Sequence, residues 1–261
     1  LDAADIFCSQ VPWHAERLRA AGARAEFFGH PLLDLVRPSK PAAELRRDWG
    51  LGGGDPVVCL LPGSRRHEVE HILPAFLDAG VLIGKAVPGA RFILGLAEVA
   101  DRRQVDRILA HHGWRAGVFD ARTPSVMILT GRTYDCLAVS NAALCASGTV
   151  TLEAAILGVP QVISYRGSPG MRLQYQFVKS RIKYVGLPNL LLDTVVCPEV
   201  LDHAATPEAL AGACVPLLGD GPAAQAQREG YARLAGMLGS PGAIRRAAEG
   251  ILGLVTDGGG R

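Results

Sequence analysis

Two short glycine turns carry the residues of this chain best suited to chemistry. Leu61-Pro62-Gly63-Ser64-Arg65 follows the apolar run Val57–Leu60, and Ala146-Ser147-Gly148-Thr149 follows Ala142–Cys145. In each, a strand-length apolar run passes through small residues into an amphipathic stretch of helical spacing. Such a turn leaves unpaired backbone N–H groups and the positive end of a helix dipole facing the same point. In a parallel α/β sheet, two of these ends converge on one ligand beyond the carboxyl edge of the strands. A nucleotide diphosphate fits that chemistry. Gly63 lets a phosphate approach the backbone, Ser64 caps or donates, and Arg65 supplies a forked cationic donor. The P-loop pattern is absent, and a capped helix with an exposed arginine gives the same local spelling.

In the second turn, Ser147, Gly148 and Thr149 stand where amides would hold phosphate, and Glu153 falls four residues after Thr149, on the same helix face. A carboxylate there can accept both hydroxyls of a ribose. Its neighbours Leu152, Ala154, Ala155, Ile156 and Leu157 make the helix largely buried, where an unpaired Glu153 would be costly. His67-Glu68-Val69-Glu70-His71 spells the HExxH signature of zinc proteases, but it begins right after the glycine turn and Pro74 follows it. No third ligand is placed to complete a metal site, so no metal is expected. Met171 to Tyr184 mixes aliphatic, aromatic and basic residues at helical spacing, with Lys179, Arg181 and Lys183 along it. That composition suits either an interfacial helix facing anionic lipid or a core-packed helix with a solvated basic face.

The elements that must position these residues alternate as an α/β fold requires. Strands are expected at Asp5–Cys8, Ala25–Phe28, Val57–Leu61, Arg91–Leu96, Gly117–Phe119, Ala143–Ala146 and Gln161–Tyr165. Helices are expected at 13–21, 42–49, 68–84, 101–111, 133–140 and 149–157, with a mostly helical stretch over 206–255. Pro74 marks a kink. Val36 to Pro41 is polar and proline-rich, as a linker is. The 261 residues are 49% apolar, enough for a sizeable core, and the net charge of +2 gives no polyanion-binding character, so nucleic acid is not an expected partner. Six scattered cysteines without a CxxC pair fit buried thiols in a reducing compartment. No apolar stretch reaches the ~20 residues that span a bilayer, and no signal peptide is recognisable.

In order along the chain stand Phe28-Gly29-His30-Pro31-Leu32-Leu33-Asp34, Leu61-Pro62-Gly63-Ser64-Arg65 with Glu68-Val69, Ala146-Ser147-Gly148-Thr149 with Thr151-Leu152-Glu153-Ala154, and Gly158-Val159-Pro160. Tyr184-Val185 with Leu187-Pro188-Asn189-Leu190-Leu191 completes the set. With these signatures the chain resembles the lipid-A-disaccharide synthases, glycosyltransferases of the two-Rossmann-domain (GT-B) architecture, from about Ala4 to Leu252. Gly186 stands where the pattern has serine, and Asp202 where it has glutamine; the second departure bears on a polar contact in the sugar-nucleotide site.

The resemblance implies an inverting hexosyltransferase. It would move 2,3-diacylglucosamine from its UDP donor to 2,3-diacylglucosamine 1-phosphate, giving the β-1,6 lipid A disaccharide 1-phosphate and UDP. It implies diphosphate contacts from Gly63, Ser64, Arg65, Ser147, Gly148 and Thr149, uridine or ribose contacts from Glu153 and Asn189, and no cofactor. It also implies peripheral work on the cytoplasmic face of the inner membrane, where Lys179, Arg181 and Lys183 would meet lipid; a homodimer stays open. The expected organisation is a remnant of an acceptor-side Rossmann-like domain at 1–35 and a linker at 36–41. A UDP-sugar-binding Rossmann-like domain would follow at 42–224, with helices at 225–261 packing back toward the first domain. The general base would then lie in the absent part of that domain, and the chain alone would be inactive. Another UDP-sugar enzyme of this architecture, a 2-epimerase or hexosyltransferase, would share both turns, and so would a non-catalytic nucleotide-binding module.

Overall fold

The computed structural model describes residues 4–117, 124–166 and 183–258. The chain divides into two compact units, Leu1–Arg37 with Ala232–Arg261, and Pro38–Tyr231.

The larger unit is built on a parallel seven-stranded sheet. Its elements begin with α3 (Ala42–Asp48), β3 (Val57–Leu61), α4 (Arg66–Ala86), β4 (Arg91–Leu96), α5 (Arg102–His111), β5 (Arg115–Ala116) and β6 (Ser125–Thr130). They continue with α6 (Thr133–Ala138), β7 (Ala142–Ala146), α7 (Val150–Ile156), β8 (Gln161–Tyr165), α8 (Leu187–Leu192), β9 (Glu199–Leu201) and α9 (Pro207–Cys214). The strand order is β5-β6-β4-β3-β7-β8-β9, all parallel. Apart from the edge strand β5 this is the order of a dinucleotide-binding sheet, and it reverses direction between β3 and β7.

Because both faces are covered, the strands are continuous apolar runs rather than alternating ones. Side chains of β3 still divide by the pleat. Val58 and Leu60 pack with Leu73, Phe76 and Leu77 of α4, while Val57, Cys59 and Leu61 pack with Leu45 of α3 and Leu137 of α6. Every residue of β3 is at most 4% exposed, so each large side chain there contributes on the order of 1.5–3 kcal/mol by burial. Pro74 sits inside α4, which runs through it to Ala86.

Most of the expected strand at Gly117–Phe119 lies outside the described residues. Gly117 lies after the two-residue β5, and the strand beside β4 is β6. The run Ser125–Thr130 is apolar at its centre and follows Pro124, so it carried the signal. Residues 171–182 of the expected interfacial helix, with Lys179 and Arg181, also lie outside the described residues.

The first part of α10 (Pro222–Leu238) joins this unit through buried amides. Gln227 Oε1 accepts from Gln161 N–H at 2.8 Å and from Tyr231 OH at 2.7 Å, and Gln227 Nε2 donates to the Gln161 carbonyl at 3.1 Å. Gln161 in turn donates to the Thr151 carbonyl on α7 at 2.7 Å.

The smaller unit pairs β1 (Phe7–Ser9) with β2 (Ala25–Phe27) in parallel around α1 (Pro12–Ala20), followed by the short α2 (Leu32–Leu35). The Asp34 carboxylate of α2 accepts from Ile244 N–H at 2.9 Å and from Gly242 N–H, capping the start of α11 (Ala243–Gly258). Those N–H groups hold its carboxyl below the usual carboxylate range. Arg246 of α11 donates back to the Phe28 carbonyl through Nε and Nη2, at 3.0 and 2.6 Å.

Candidate functional site

A cleft of about 320 Å³ opens at the carboxyl ends of β3 and β7, where the strand order reverses. Gly63, Ser64, Arg65, Ser147, Gly148, Thr149 and Glu153 all line it, joined by Glu68 and Thr133. The structure therefore gathers the six expected diphosphate residues and the expected ribose carboxylate in one place. The volume lies within the range of small-ligand clefts.

The two turns reach the cleft in different states. At the β3–α4 turn, Glu68 Oε2 accepts from Ser64 N–H at 3.0 Å and from Arg65 N–H at 3.1 Å. Its Oε1 lies 3.2 Å from Arg65 Nη1. The N-terminus of α4 is thus capped by a carboxylate from its own third residue, the capping-box position. Gly63 has φ +107°, and a β-carbon on it would collide with the Glu68 side chain. The bare backbone at Gly63 thus makes room first for Glu68. The Arg65 side chain is 73% exposed and Glu68 only 16%, so the guanidinium extends from the turn while the carboxylate is covered by it.

At the β7–α7 turn, Ser147 is used structurally. Its N–H donates to the Ser164 carbonyl at 2.8 Å, continuing the sheet, and its hydroxyl donates to the Val185 carbonyl at 2.7 Å. Gly148 and Thr149 are exposed, and their N–H groups have no partner among the described residues. A β-carbon on Gly148 would meet nothing within 4 Å. One turn is internally filled, and the other has open amides among the described residues.

Glu153 is half-buried, and burial raises its carboxyl pKa above the usual value. The Tyr134 hydroxyl donates to Oε1 at 3.4 Å. This partner was not foreseen: Tyr134 comes from α6, nineteen positions earlier, and nothing in local spacing announces it. The start of α6, which carries Thr133, is held by Asp135, which is 4% exposed and accepts from the Ser39 hydroxyl at 2.8 Å and from Arg132 Nε at 2.9 Å.

Asn189 is a correction. Its side chain is fully buried, and its polar atoms are taken up inside the fold. Nδ2 donates to the Cys197 carbonyl and to Glu199 Oε1, both at 2.8 Å, and Oδ1 accepts from Val196 and Cys197 N–H at 2.7 and 2.8 Å. An amide with two donors and two filled acceptor positions has nothing left for uridine or ribose. Asn189 instead fixes the 183–201 segment, whose Val185 carbonyl holds Ser147. Glu199, which sequence reasoning missed, is the hub there: it also accepts from Val185 and Gly186 N–H at 3.0 and 2.9 Å. A β-carbon on Gly186 would meet the tip of the Ile163 side chain, and nothing else in the structure explains the first departure from the family pattern. Asp202 sits at φ +50° after β9.

Lys183 is exposed and pairs with Asp193 at 2.8 Å. Cys59, Cys136, Cys145, Cys197 and Cys214 are buried free thiols, and burial pushes Cys197 and Cys214 up to about 12. Among the described residues no three His, Cys, Asp or Glu side chains gather as a metal site requires, and no helix is long and apolar enough to cross a membrane.

Comparison with known proteins gives this geometry its context. Among solved structures, the UDP-GlcNAc 2-epimerase of Neisseria meningitidis bound to UDP-GlcNAc matches with a TM-score of 0.60 at 12% identity, over 95% of this chain and 62% of that one. WaaG, a glycosyltransferase involved in lipopolysaccharide biosynthesis, matches with a TM-score of 0.57 at 13% identity, over 94% and 61%. These share the fold, that of the GT-B glycosyltransferases. In sequence, the lipid-A-disaccharide synthase of Pseudomonas entomophila is 37% identical over 255 residues, 97% of this chain and 63% of that protein. The Burkholderia mallei enzyme of the same name is 40% identical over 218 residues, 84% and 54%. The chain thus spans between a half and two thirds of the length of these relatives. A model of the family described as lipid-A-disaccharide synthetase matches residues 3–242, and the chain belongs to the lipid-A-disaccharide synthase family.

Proposed function

We propose that this chain carries the UDP-sugar-binding part of a lipid-A-disaccharide synthase, within a region that runs from about residue 42 to 224. The whole enzyme would transfer 2,3-diacylglucosamine from UDP to the 6-hydroxyl of 2,3-diacylglucosamine 1-phosphate, with inversion at the anomeric carbon. The observation that carries the reading is the convergence of both glycine turns and Glu153 on one cleft at the sheet's reversal point.

In such a displacement a base removes the acceptor proton while positive groups stabilise the departing diphosphate. The residues of this cleft suit the second task. Arg65 offers an exposed guanidinium, Gly148 and Thr149 offer amides without partners among the described residues, and Glu153 offers a carboxylate for ribose hydroxyls. Calorimetric titration with UDP tests the assignment. Arg65→Ala and Glu153→Ala should each weaken binding by roughly ten- to a hundred-fold, the loss of one charge-assisted contact. Unchanged affinity in both variants would remove the donor site from this cleft.

Both substrates of the proposed reaction carry acyl chains, so the enzyme would work at a bilayer surface without spanning it. Lys179, Arg181 and Lys183 would contribute salt-sensitive attraction to anionic lipid. The triple Ala variant should float less with anionic vesicles at low salt than the wild type; equal flotation would count against this face.

A further inference from the structure

The α4 turn is spelled like a phosphate-binding turn, yet its amides are already occupied. Glu68 Oε2 accepts from both Ser64 and Arg65 N–H, and Oε1 holds Arg65 Nη1. Gly63, the residue that would admit a phosphate, has its open side filled by the same carboxylate. A phosphate oxygen bound there would have to share two donors with a carboxylate oxygen, which combines steric overlap with like-charge repulsion.

Resting on the proposed donor site, we propose that Glu68 is a built-in anion and a positioning residue. It stays in place at the α4 N-terminus and holds the Arg65 backbone N–H and one guanidinium nitrogen, so that the donor diphosphate meets the rest of the Arg65 guanidinium and not the α4 amides. Three features support this. The carboxylate engages both amides at once, as a capping-box glutamate does. It is covered by the turn whereas Arg65 is open to the cleft. An arginine held at i,i+3 by its own carboxylate also has fewer side-chain conformations to lose when it grips a ligand. The guanidinium then lies between two anions, satisfying the nearer one permanently and the other on binding.

Chemical rescue tests this. UDP affinity is measured by calorimetry for wild type, Glu68→Ala, and Glu68→Ala with added acetate. The expected result is a roughly tenfold loss in Glu68→Ala, restored saturably by acetate, with wild type indifferent to acetate. If Glu68→Ala binds UDP as tightly as wild type or more tightly, and acetate competes with UDP, the diphosphate uses the α4 amides and the proposal is overturned. Should Glu68→Ala fail to fold, Glu68→Gln decides. It keeps the shape and one acceptor oxygen but loses the charge, so UDP should bind several-fold more weakly; undiminished affinity overturns the positioning role. A wild type that does not bind UDP would refute the donor reading alone. The melting temperature of Glu68→Ala then decides the present proposal: acetate-dependent stabilisation absent from wild type supports the built-in anion, and no response overturns it.

Discussion

The β3–α4 and β7–α7 turns look equivalent when read as strings of small residues before a helix, and they differ in what fills them. The first is closed by its own Glu68; the second leaves the Gly148 and Thr149 amides without partners among the described residues. Their glycines therefore do different jobs. Gly63 is a packing requirement, with φ +107° and a carboxylate against it, whereas Gly148 has open space and ordinary backbone angles. The lesson is that a glycine turn before a helix states where an anion is welcome, without stating whether the protein has supplied one.

The largest test of this contrast is a pair of matched substitutions. Gly63→Ala should lose about 2–4 kcal/mol of stability, from the left-handed backbone and the displaced cap together. Gly148→Ala should stay within about 0.5 kcal/mol. Urea unfolding of both variants checks this, and equal losses would break the comparison.

Next in size is Asn189→Ala, which leaves buried partners unpaired and should cost about 2–3 kcal/mol. Because Asn189 acts on the second turn only through the segment that holds Ser147, its effect on UDP affinity should be smaller than that of Glu153→Ala. A Kd change as large as that of Glu153→Ala, in a folded variant, would put Asn189 back among the direct contacts.

The smallest effect concerns charge in the second turn's helix. Burial raises the Glu153 pKa, so the folded chain holds that proton more tightly than the unfolded chain. The stability this contributes is full below the ordinary value of 4.5 and is lost as pH rises through the raised folded value. Glu153→Gln should therefore melt a few degrees higher than wild type at pH 7, with the gain vanishing toward pH 4, while binding UDP less well. A variant less stable than wild type at pH 7 would show that the Tyr134 contact outweighs the burial of the charge.

Much of the frame was legible in the sequence. The bounds of β3, β4 and β8 follow from apolar runs cut off by glycine, proline or charge, because a strand buried on both faces must be continuously apolar. The expected strand at 117–119 drew attention from Ser125–Thr130, since a short Gly-Val-Phe run and a longer run behind a proline carry the same local signal. Convergence of the two turns was also legible, as parallel topology forces it. What filled them was not. Glu68 at the third helical position fits a capping box as well as a solvated face, and only coordinates show which donors it takes. Asn189 misled for a related reason: a polar residue in a distinctive motif can serve the motif's own backbone as readily as a ligand. Tyr134 was invisible because its partner lies on another helix.

The reversal of strand order between β3 and β7 also governs how the chain is assembled. β3 pairs first with β4, close by in sequence, but Val58 meets Ala142 only after 84 further residues, and Val57 N–H donates to Asn141 across the same gap. Closing a loop of that length costs roughly 4 kcal/mol of chain entropy before any contact compensates. The cleft lies on this seam, so the place where the ligand is gathered is also where the most distant parts of the sheet must find one another. During synthesis the β3 edge waits, unpaired on that side, until β7 has left the ribosome.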